Sequence, residues 1–453
     1  MTATEVDVVV IGMGPGGEEV AGKLAEAGLT VVGIDEQLVG GECPYWGCVP
    51  SKMMVRAANL LAEGRRIGGV AGASAIEPDW ALVAGRIRSE ATDDWDDTVA
   101  VERFTGKGGT FVRGRGRLID RDLVEVDGQQ FRARRGVVLA TGTVAVIPPI
   151  AGLTDTPYWT NREAIATTDV PERLIVVGGG AIGVELAQVF ARFGSTVTIV
   201  EPADRLVAHE EPEAGELLAR VLAAEGLAIH VGVAVSEVRH DGSTFTVDLA
   251  DGTTLCGERL LVATGRKAEP DRVGATAAGV PADAHWVLVD EHQRVGPGVW
   301  AVGDLTGEGS FTHVAMYQSA IAVADILGEA HPTADYRAVP RVTFTDPEIG
   351  SVGRTEQSAR AAGIDVAVGV AQVPGTARGW IHKAGNEGLI KVVADRDRNI
   401  VVGATSAGPA GGEVLGLLVL AVHAQIPIGT LRSMIYAYPT FHRGIEDALR
   451  ALE

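Results

Sequence analysis

Short apolar runs separated by glycine turns dominate the first half of the chain, and their order repeats. Residues 6–11 form an apolar run that predicts a buried strand. A glycine turn follows, residues 18–27 have helical spacing, and residues 30–34 predict a second strand ending at Asp35. Uninterrupted apolar strands joined through a helix are the pattern of a parallel sheet covered on both faces. The same order returns from Arg173: a strand over 174–177, a glycine turn, a helix continuing to Phe193, and a strand over 196–200 ending at Glu201. Two further apolar strands, 137–142 and 260–265, both end in Ala-Thr-Gly, and β-rich stretches at 109–126 and 228–249 precede them. From about Tyr336 the rhythm changes. Strands around 341–344, 366–373 and 388–394 alternate with helices near 356–362 and 411–423, which predicts a separate α+β domain.

Composition and charge narrow the function classes. The 453 residues are too many for one ordinary core and predict several domains. A formal net charge of −20 argues against nucleic acid or an anionic membrane as partner. No stretch reaches the roughly 20 apolar residues needed to span a bilayer. The first seven residues have no basic segment and run straight into a strand, so no targeting peptide is expected and the cytoplasm is the expected location. Three cysteines do not make a secreted disulfide framework, and a close pair among them points to catalysis or metal.

The two glycine turns carry the first chemistry. Gly12-Met-Gly-Pro-Gly-Gly17 fits G-x-G-x-x-G directly after a strand. Gly12 makes the turn, Gly14 lets a pyrophosphate approach the backbone, and Gly17 lets the helix pack on the strand. The helix start then offers N–H groups and a positive dipole end to phosphates. Asp35 stands where an acid accepts from ribose hydroxyls. Gly178, Gly180 and Gly183 with Glu201 repeat the arrangement, so the chain has room for two nucleotides. A carboxylate at Glu201 favours the 2′-OH of NAD over the 2′-phosphate of NADP. Arg205, four positions on, keeps NADP possible.

The most specific segment is Gly40-Gly-Glu-Cys-Pro-Tyr-Trp-Gly-Cys-Val-Pro-Ser-Lys52. It follows the first strand–helix–strand unit and places Cys43 and Cys48 at a helix N-terminus, a position that lowers a thiol pKa from about 8.5. A zinc site would need two more Cys or His ligands, and none are close in sequence, so no metal is expected. Cys256, alone in a predicted strand, reads as a packing residue.

This segment resembles the active-site motif of the class I flavoprotein (pyridine nucleotide-) disulfide oxidoreductases, the group that includes dihydrolipoamide dehydrogenase, glutathione reductase and mercuric reductase. The resemblance covers the whole chain. It takes in both glycine motifs, Gly41, the Ala-Thr-Gly segments with Thr141, Gly142, Gly265 and Arg266, and Val299-Trp-Ala-Val-Gly-Asp304, where Gly303 and Asp304 match a flavin-ribityl contact. Phe344-Thr-Asp-Pro-Glu348 is similar to the opening of the family's dimerisation domain. The implied fold is α/β, with two Rossmann-like dinucleotide-binding domains and a C-terminal α+β dimerisation domain. FAD would occupy a discontinuous domain (1–150 and 268–335), NAD(P) a domain over 151–267, and residues 336–453 would join a homodimer with shared active sites. The resemblance also implies roles. Cys48 contacts the flavin, Cys43 attacks a small oxidised substrate, Lys52 lies near flavin N5, and Glu185 is its ion-pair partner. Electrons would pass from NADH through FAD to the Cys43–Cys48 disulfide.

The C-terminal segment departs from the family. Most members carry His-Pro-Thr there, with a glutamate five residues after the histidine. Here Tyr438 takes the histidine position and Arg443 the glutamate position. A positioned base is worth roughly 10²–10⁴-fold, so its absence alters the chemistry or the substrate. Three readings stand. Tyr438 donates to the substrate or to Cys43, as in mercuric reductases, which lack the histidine. Alternatively, His442 and Glu446 form a displaced dyad at helical i, i+4 spacing. Alternatively, loss of the base is itself the adaptation, as in the ketopropyl-coenzyme M carboxylases, which Tyr438 and His442 resemble with an offset of one residue. A low-turnover flavin redox sensor is the alternative from another class. His313 reads as a helix cap or polar core residue, and Tyr45 and Trp46 add unusual aromatic bulk between the cysteines.

Overall fold

A computed structural model describes residues 3–453; the first two residues of the stretch read as lacking a targeting peptide lie outside the described residues. The chain divides into two compact units. One comprises Met1–Pro50, Gly85–Val146 and Arg266–Tyr336, the other Ser51–Ala84, Ile147–Gly265 and Arg337–Glu453.

The first unit is built on a sheet in which Val299–Ala301, Gln129–Leu139, Thr4–Ile11, Val31–Asp35 and Thr110–Arg113 lie side by side and parallel. Val9 pairs with Val32 on one side and Val137 on the other. Alternate side chains enter two different cores. Val9, Ile11, Val137 and Leu139 face one; Val8, Val10 and Val138 face the other, with Val20 and Leu24 of the helix Pro15–Glu26. Burial on both faces is why these strands read as unbroken apolar runs.

The first helix starts at Pro15, three residues before the expected position. Proline's fixed φ suits the opening turn. The two glycines that depress helix propensity are there for close packing: a Cβ on Gly16 would press on Val302 and Ala315, and one on Gly17 would collide with the Gly12 carbonyl.

The second unit holds a parallel sheet in the order Ala228–Val231, Thr196–Glu201, Arg173–Val177 and Arg259–Val262, and a three-stranded antiparallel sheet over Val235–His240, Phe245–Leu249 and Thr254–Gly257. Cys256 lies exposed on the outer strand of that second sheet, so the packing reading is corrected. The C-terminal part is a five-stranded antiparallel sheet, Pro340–Thr343, Glu348–Gly353, Ile400–Gly408, Leu389–Asp395 and Val366–Gln372. Leu415 and Leu418 of the helix Gly411–His423 and Ile445 of Gly444–Arg450 join its core. Among the described residues no helix is long and apolar enough to cross a membrane.

Candidate active site

The two glycine turns have the same construction. Gly12 and Gly178 are both left-handed, at φ 95° and 115°. A Cβ on either would collide with the backbone of the neighbouring strand's end, at Ala140 and Ala263 respectively. Gly17 and Gly183 each pack on the first glycine's carbonyl. Gly14 and Gly180 differ: a Cβ on Gly14 meets nothing nearer than 4.0 Å, and one on Gly180 meets nothing within that range. Both turns therefore leave an open cradle beside a helix N-terminus, and that space suits a pyrophosphate.

The acids at the strand ends brace these turns. Asp35 accepts from the N–H of Met13 (2.6 Å) and of Gln37 (2.7 Å), and Glu201 accepts from Gly179 (2.6 Å) and Ala203 (2.7 Å). Burial raises the Asp35 pKa above the ordinary value, against the pull of those backbone donors. Arg205 donates to the Ala208 carbonyl (2.7 Å) and to its neighbour Asp204 (3.0 Å).

The cysteine segment is packed against the first cradle. Gly40 and Gly41 are left-handed (φ 107° and 67°), and a Cβ on Gly41 would press on the Gly14 backbone. Cys43 is half-buried in the short helix Glu42–Tyr45, and Cys48 opens the helix Cys48–Arg65. The Cys48 sulfur lies 3.5 Å from the Thr312 hydroxyl. Thr312 opens the helix Thr312–Leu327. The first residues of two helices thus meet at the Cys48 sulfur.

Asp304 sits in the same unit. Its carboxylate accepts from the Thr143 hydroxyl (2.9 Å), which in turn accepts from Arg266 Nε (2.9 Å); Arg266 also reaches the Thr143 carbonyl (2.7 Å). Burial raises the Asp304 pKa, with Arg266 pulling the other way. The N–H of Gly303 donates to Oε1 of the buried Gln318 (2.6 Å). Thr141 and Gly142, the latter left-handed at φ 64°, follow the strand end over which Gly12 turns. Gly265 is left-handed too, at φ 115°.

In the second unit Lys52 Nζ lies 2.7 Å from Glu185 Oε2. The other Glu185 oxygen accepts from the Phe344 N–H (2.8 Å), and the ammonium sits 4.7 Å from the Phe344 ring centroid. Glu185 is buried, and Lys52 is about one-third exposed, at 35%.

The C-terminal residues are placed differently from the displaced dyad. Glu446 pairs with Arg450 and with Arg443 (3.2 Å), whereas the His442 ring lies 6.3 Å from that of Tyr436. His442 is in a 3₁₀ turn, Phe441–Arg443, directly before the helix Gly444–Arg450 that carries Glu446. Tyr438 is 70% exposed, with the Arg443 guanidinium 5.6 Å from its ring centroid. His313 is exposed and stacks on Phe311 at 5.1 Å, so it is neither cap nor core. Sequence reasoning missed Thr312, Thr143, Gln318 and Phe344. Thr312 stood inside the Phe311-Thr-His stretch, but only the fold shows that it reaches Cys48.

These features define a fold with two dinucleotide-type glycine turns and a cysteine pair beside one of them. Residues 6–319 match the model of the pyridine nucleotide-disulphide oxidoreductases, and residues 339–449 match that family's dimerisation domain. A dihydrolipoyl dehydrogenase of Haloferax volcanii is 32% identical over 98% of this chain and 96% of its own length. A mercuric reductase of Acidithiobacillus ferrooxidans is 31% identical over 98% of this chain and 82% of its own. A Cu(II) complex of the HOCl-induced flavoprotein disulfide reductase RclA from Escherichia coli superposes with a TM-score of 0.86, at 25% identity, covering 99% of both chains. The chain belongs to the class I pyridine nucleotide-disulfide oxidoreductase family, whose members use FAD and NAD(P)H.

Proposed function

We propose that the protein is an NADH-dependent reductase of a small disulfide or similar oxidised substrate, with Cys43 and Cys48 as its redox pair. One observation carries this: the Gly41 backbone rests on Gly14, which brings the cysteine segment beside the first pyrophosphate cradle. The FAD domain is assigned to residues 1–150 and 268–335, with Gly12, Gly14, Gly17, Asp35 and Asp304 holding the cofactor. The NAD domain is 151–267, with Gly178, Gly180, Gly183 and Glu201, and residues 336–453 form the homodimer interface. Bound FAD would accept a hydride from the nicotinamide and pass the electron pair to the disulfide.

The protein's own groups do the rest. Lys52, a helical turn beyond Cys48, supplies positive charge where negative charge develops, and Glu185 fixes its direction. The Thr312 hydroxyl is in reach of the Cys48 sulfur and would donate to it as a thiolate. The Cys43 thiolate would attack one sulfur of a disulfide substrate, breaking its S–S bond and releasing one thiolate, and Cys48 would then attack the Cys43 sulfur, releasing the second thiol and re-forming the Cys43–Cys48 disulfide. Glu446 pairs with Arg443 and Arg450, and Tyr438 and His442 would approach Cys43 of the partner subunit. Glu201 braces the second cradle, and a carboxylate at that strand end supports NADH over NADPH.

A second reading, reduction of a metal ion, is supported by the soft thiol pair and by the mercuric reductase relative. The test is an NADH-oxidation screen over lipoamide, glutathione disulfide, mercuric and cupric ions and quinones, with wild type and Cys43→Ser. Turnover that survives Cys43→Ser sinks Cys43 as the substrate thiol, and turnover with metal ions alone favours the second reading. Tyr438→His is expected to raise lipoamide turnover.

A further inference from the structure

Between the two cysteines lie Pro44, Tyr45, Trp46 and Gly47, and a distant segment grips them. The Trp46 indole stacks on that of Trp95, with ring centroids 5.2 Å apart and planes inclined by 22°. Trp95 Nε1 donates to the Tyr45 carbonyl at 3.3 Å. One residue thus holds both the backbone and the side chain of the inter-cysteine stretch.

The segment carrying Trp95 is built at a backbone cost. Asp93, Asp94 and Trp95 are consecutive left-handed residues, at φ 48°, 55° and 59°. Non-glycine residues rarely adopt that conformation even singly, because Cβ crowds the backbone. They follow a π-helical turn, Ile87–Ala91, closed by the buried Thr92, whose hydroxyl donates to the Ile87 carbonyl at 3.1 Å. Arg88 lies 5.9 Å from the Trp95 ring centroid and 3.4 Å from Asp94. Asp97 accepts from the Val39 N–H and from Arg113, both at 2.6 Å, and so ties the end of the segment to the loop that leads into the cysteines. Strain persists only where surrounding contacts over-determine it, and it gathers at functional sites. Core packing does not account for it, since Trp95 is only half-buried.

We infer that Trp95 is a positioning residue for the redox pair, acting through Trp46 to hold Cys43 in line for thiol–disulfide exchange. This rests on the reading of Cys43 and Cys48 as the redox centre. Exchange needs the attacking sulfur aligned with the bond it breaks, and Gly47 next to Trp46 packs on the Glu42 carbonyl and the Cys43 backbone, which couples the stacked indole to the Cys43 end of the stretch.

The test uses FAD-loaded full-length protein with Trp95→Ala, Trp95→Phe, Trp46→Ala and the Trp46→Ala/Trp95→Ala pair. Each is reduced with NADH, and the rate of Cys43 alkylation by iodoacetamide is read by mass spectrometry. Near-ultraviolet circular dichroism reports the indole couplet, stopped-flow absorbance reports flavin reduction, and steady-state turnover follows the substrate half-reaction. Trp95→Ala is expected to change Cys43 alkylation about fivefold and to lower turnover about tenfold, with flavin reduction unchanged. Trp95→Phe keeps the stack and stays within about twofold of wild type. The double variant is expected to be no worse than either alanine variant alone, the mark of a coupled pair. Alkylation and turnover within about twofold of wild type in Trp95→Ala overturn the inference, as does additivity in the double variant. If Trp95→Ala does not fold, Trp46→Ala carries the same criteria. Full turnover in Cys43→Ser instead overturns the redox-pair reading, a result that the Cys43 alkylation rates do not depend on.

Discussion

Glu185 shows how much one residue settles. It is buried, and both its oxygens are used, one by Lys52 at 2.7 Å and one by the Phe344 N–H at 2.8 Å. A buried carboxylate stripped of its cation is costly, whereas a neutral isostere still accepts from the amide. Lys52→Met is therefore expected to lower stability more than Glu185→Gln, by about 2 kcal/mol against about 1. Urea titration of FAD-loaded protein measures both. Equal losses would mean that the pair is not the main contact of either side chain. Both variants are expected to slow flavin reduction by NADH about tenfold or more. At the surface, Asp7 binds the Thr30 N–H (2.8 Å) and hydroxyl (2.7 Å) and Arg134 (2.9 Å), which lower its pKa to about 2. Its contribution is present above the ordinary carboxylate pKa near 4 and is lost as pH falls toward 2. The gap between wild type and Asp7→Asn, read as urea midpoints, should be larger at pH 6 than at pH 2.5.

Elements were legible where one apolar pattern fixed both structure and position. The strand–glycine–helix order gave both nucleotide cradles, because a buried parallel strand admits few polar residues and the turn admits only glycine. The C-terminal helix over 411–423 was read to the residue as Gly411–His423. What escaped the sequence lies between elements. Trp95 is 49 positions from Trp46, and nothing in its neighbours announces the contact. Spacing also cannot tell a 3₁₀ turn, where His442 lies, from a helix's first turn, where Glu446 lies. Buried charge escapes in the same way. Lys391, on the strand Leu389–Asp395, is 2% exposed and bonds Glu211 (2.9 Å), Glu213 (2.8 Å) and Glu356 (3.0 Å). These glutamates raise its pKa despite burial, and Lys391 is the main cause of a lowered pKa at Glu356. Lys391→Met should cost about 3 kcal/mol, since it leaves three acids together with Glu211 buried. The sign with pH follows. In wild type the Glu356 contribution is present above its ordinary pKa and is lost as pH falls through the lowered one. The two proteins should therefore differ more in urea midpoint at pH 6 than at pH 3.

For the whole molecule, the surface of the C-terminal part makes the strongest demand. Ile435 is 95% exposed and Trp380 76% exposed, with Ile381, Met434 and Tyr438 also on the surface. The helix Ala377–His382 that carries Trp380 meets the C-terminal segment: His382 lies 5.5 Å and Arg378 5.3 Å from the Phe441 ring. Large apolar side chains grouped in this way mark an interface, and they fall within the span that matches the dimerisation domain. The homodimer proposed above would cover them with a second copy. Sedimentation of wild type should then give twice the 47.1 kDa chain mass, and Ile435→Asp, which buries an uncompensated charge on association, should give the single-chain mass. If the active sites are shared, the resulting monomer keeps flavin reduction by NADH, whose groups lie on one chain, and loses turnover of the oxidised substrate. An Ile435→Asp protein that stays dimeric places the interface elsewhere. One that becomes monomeric with full turnover leaves the dimer intact as an idea but removes Tyr438 and His442 from the chemistry, because their proposed role requires the partner subunit.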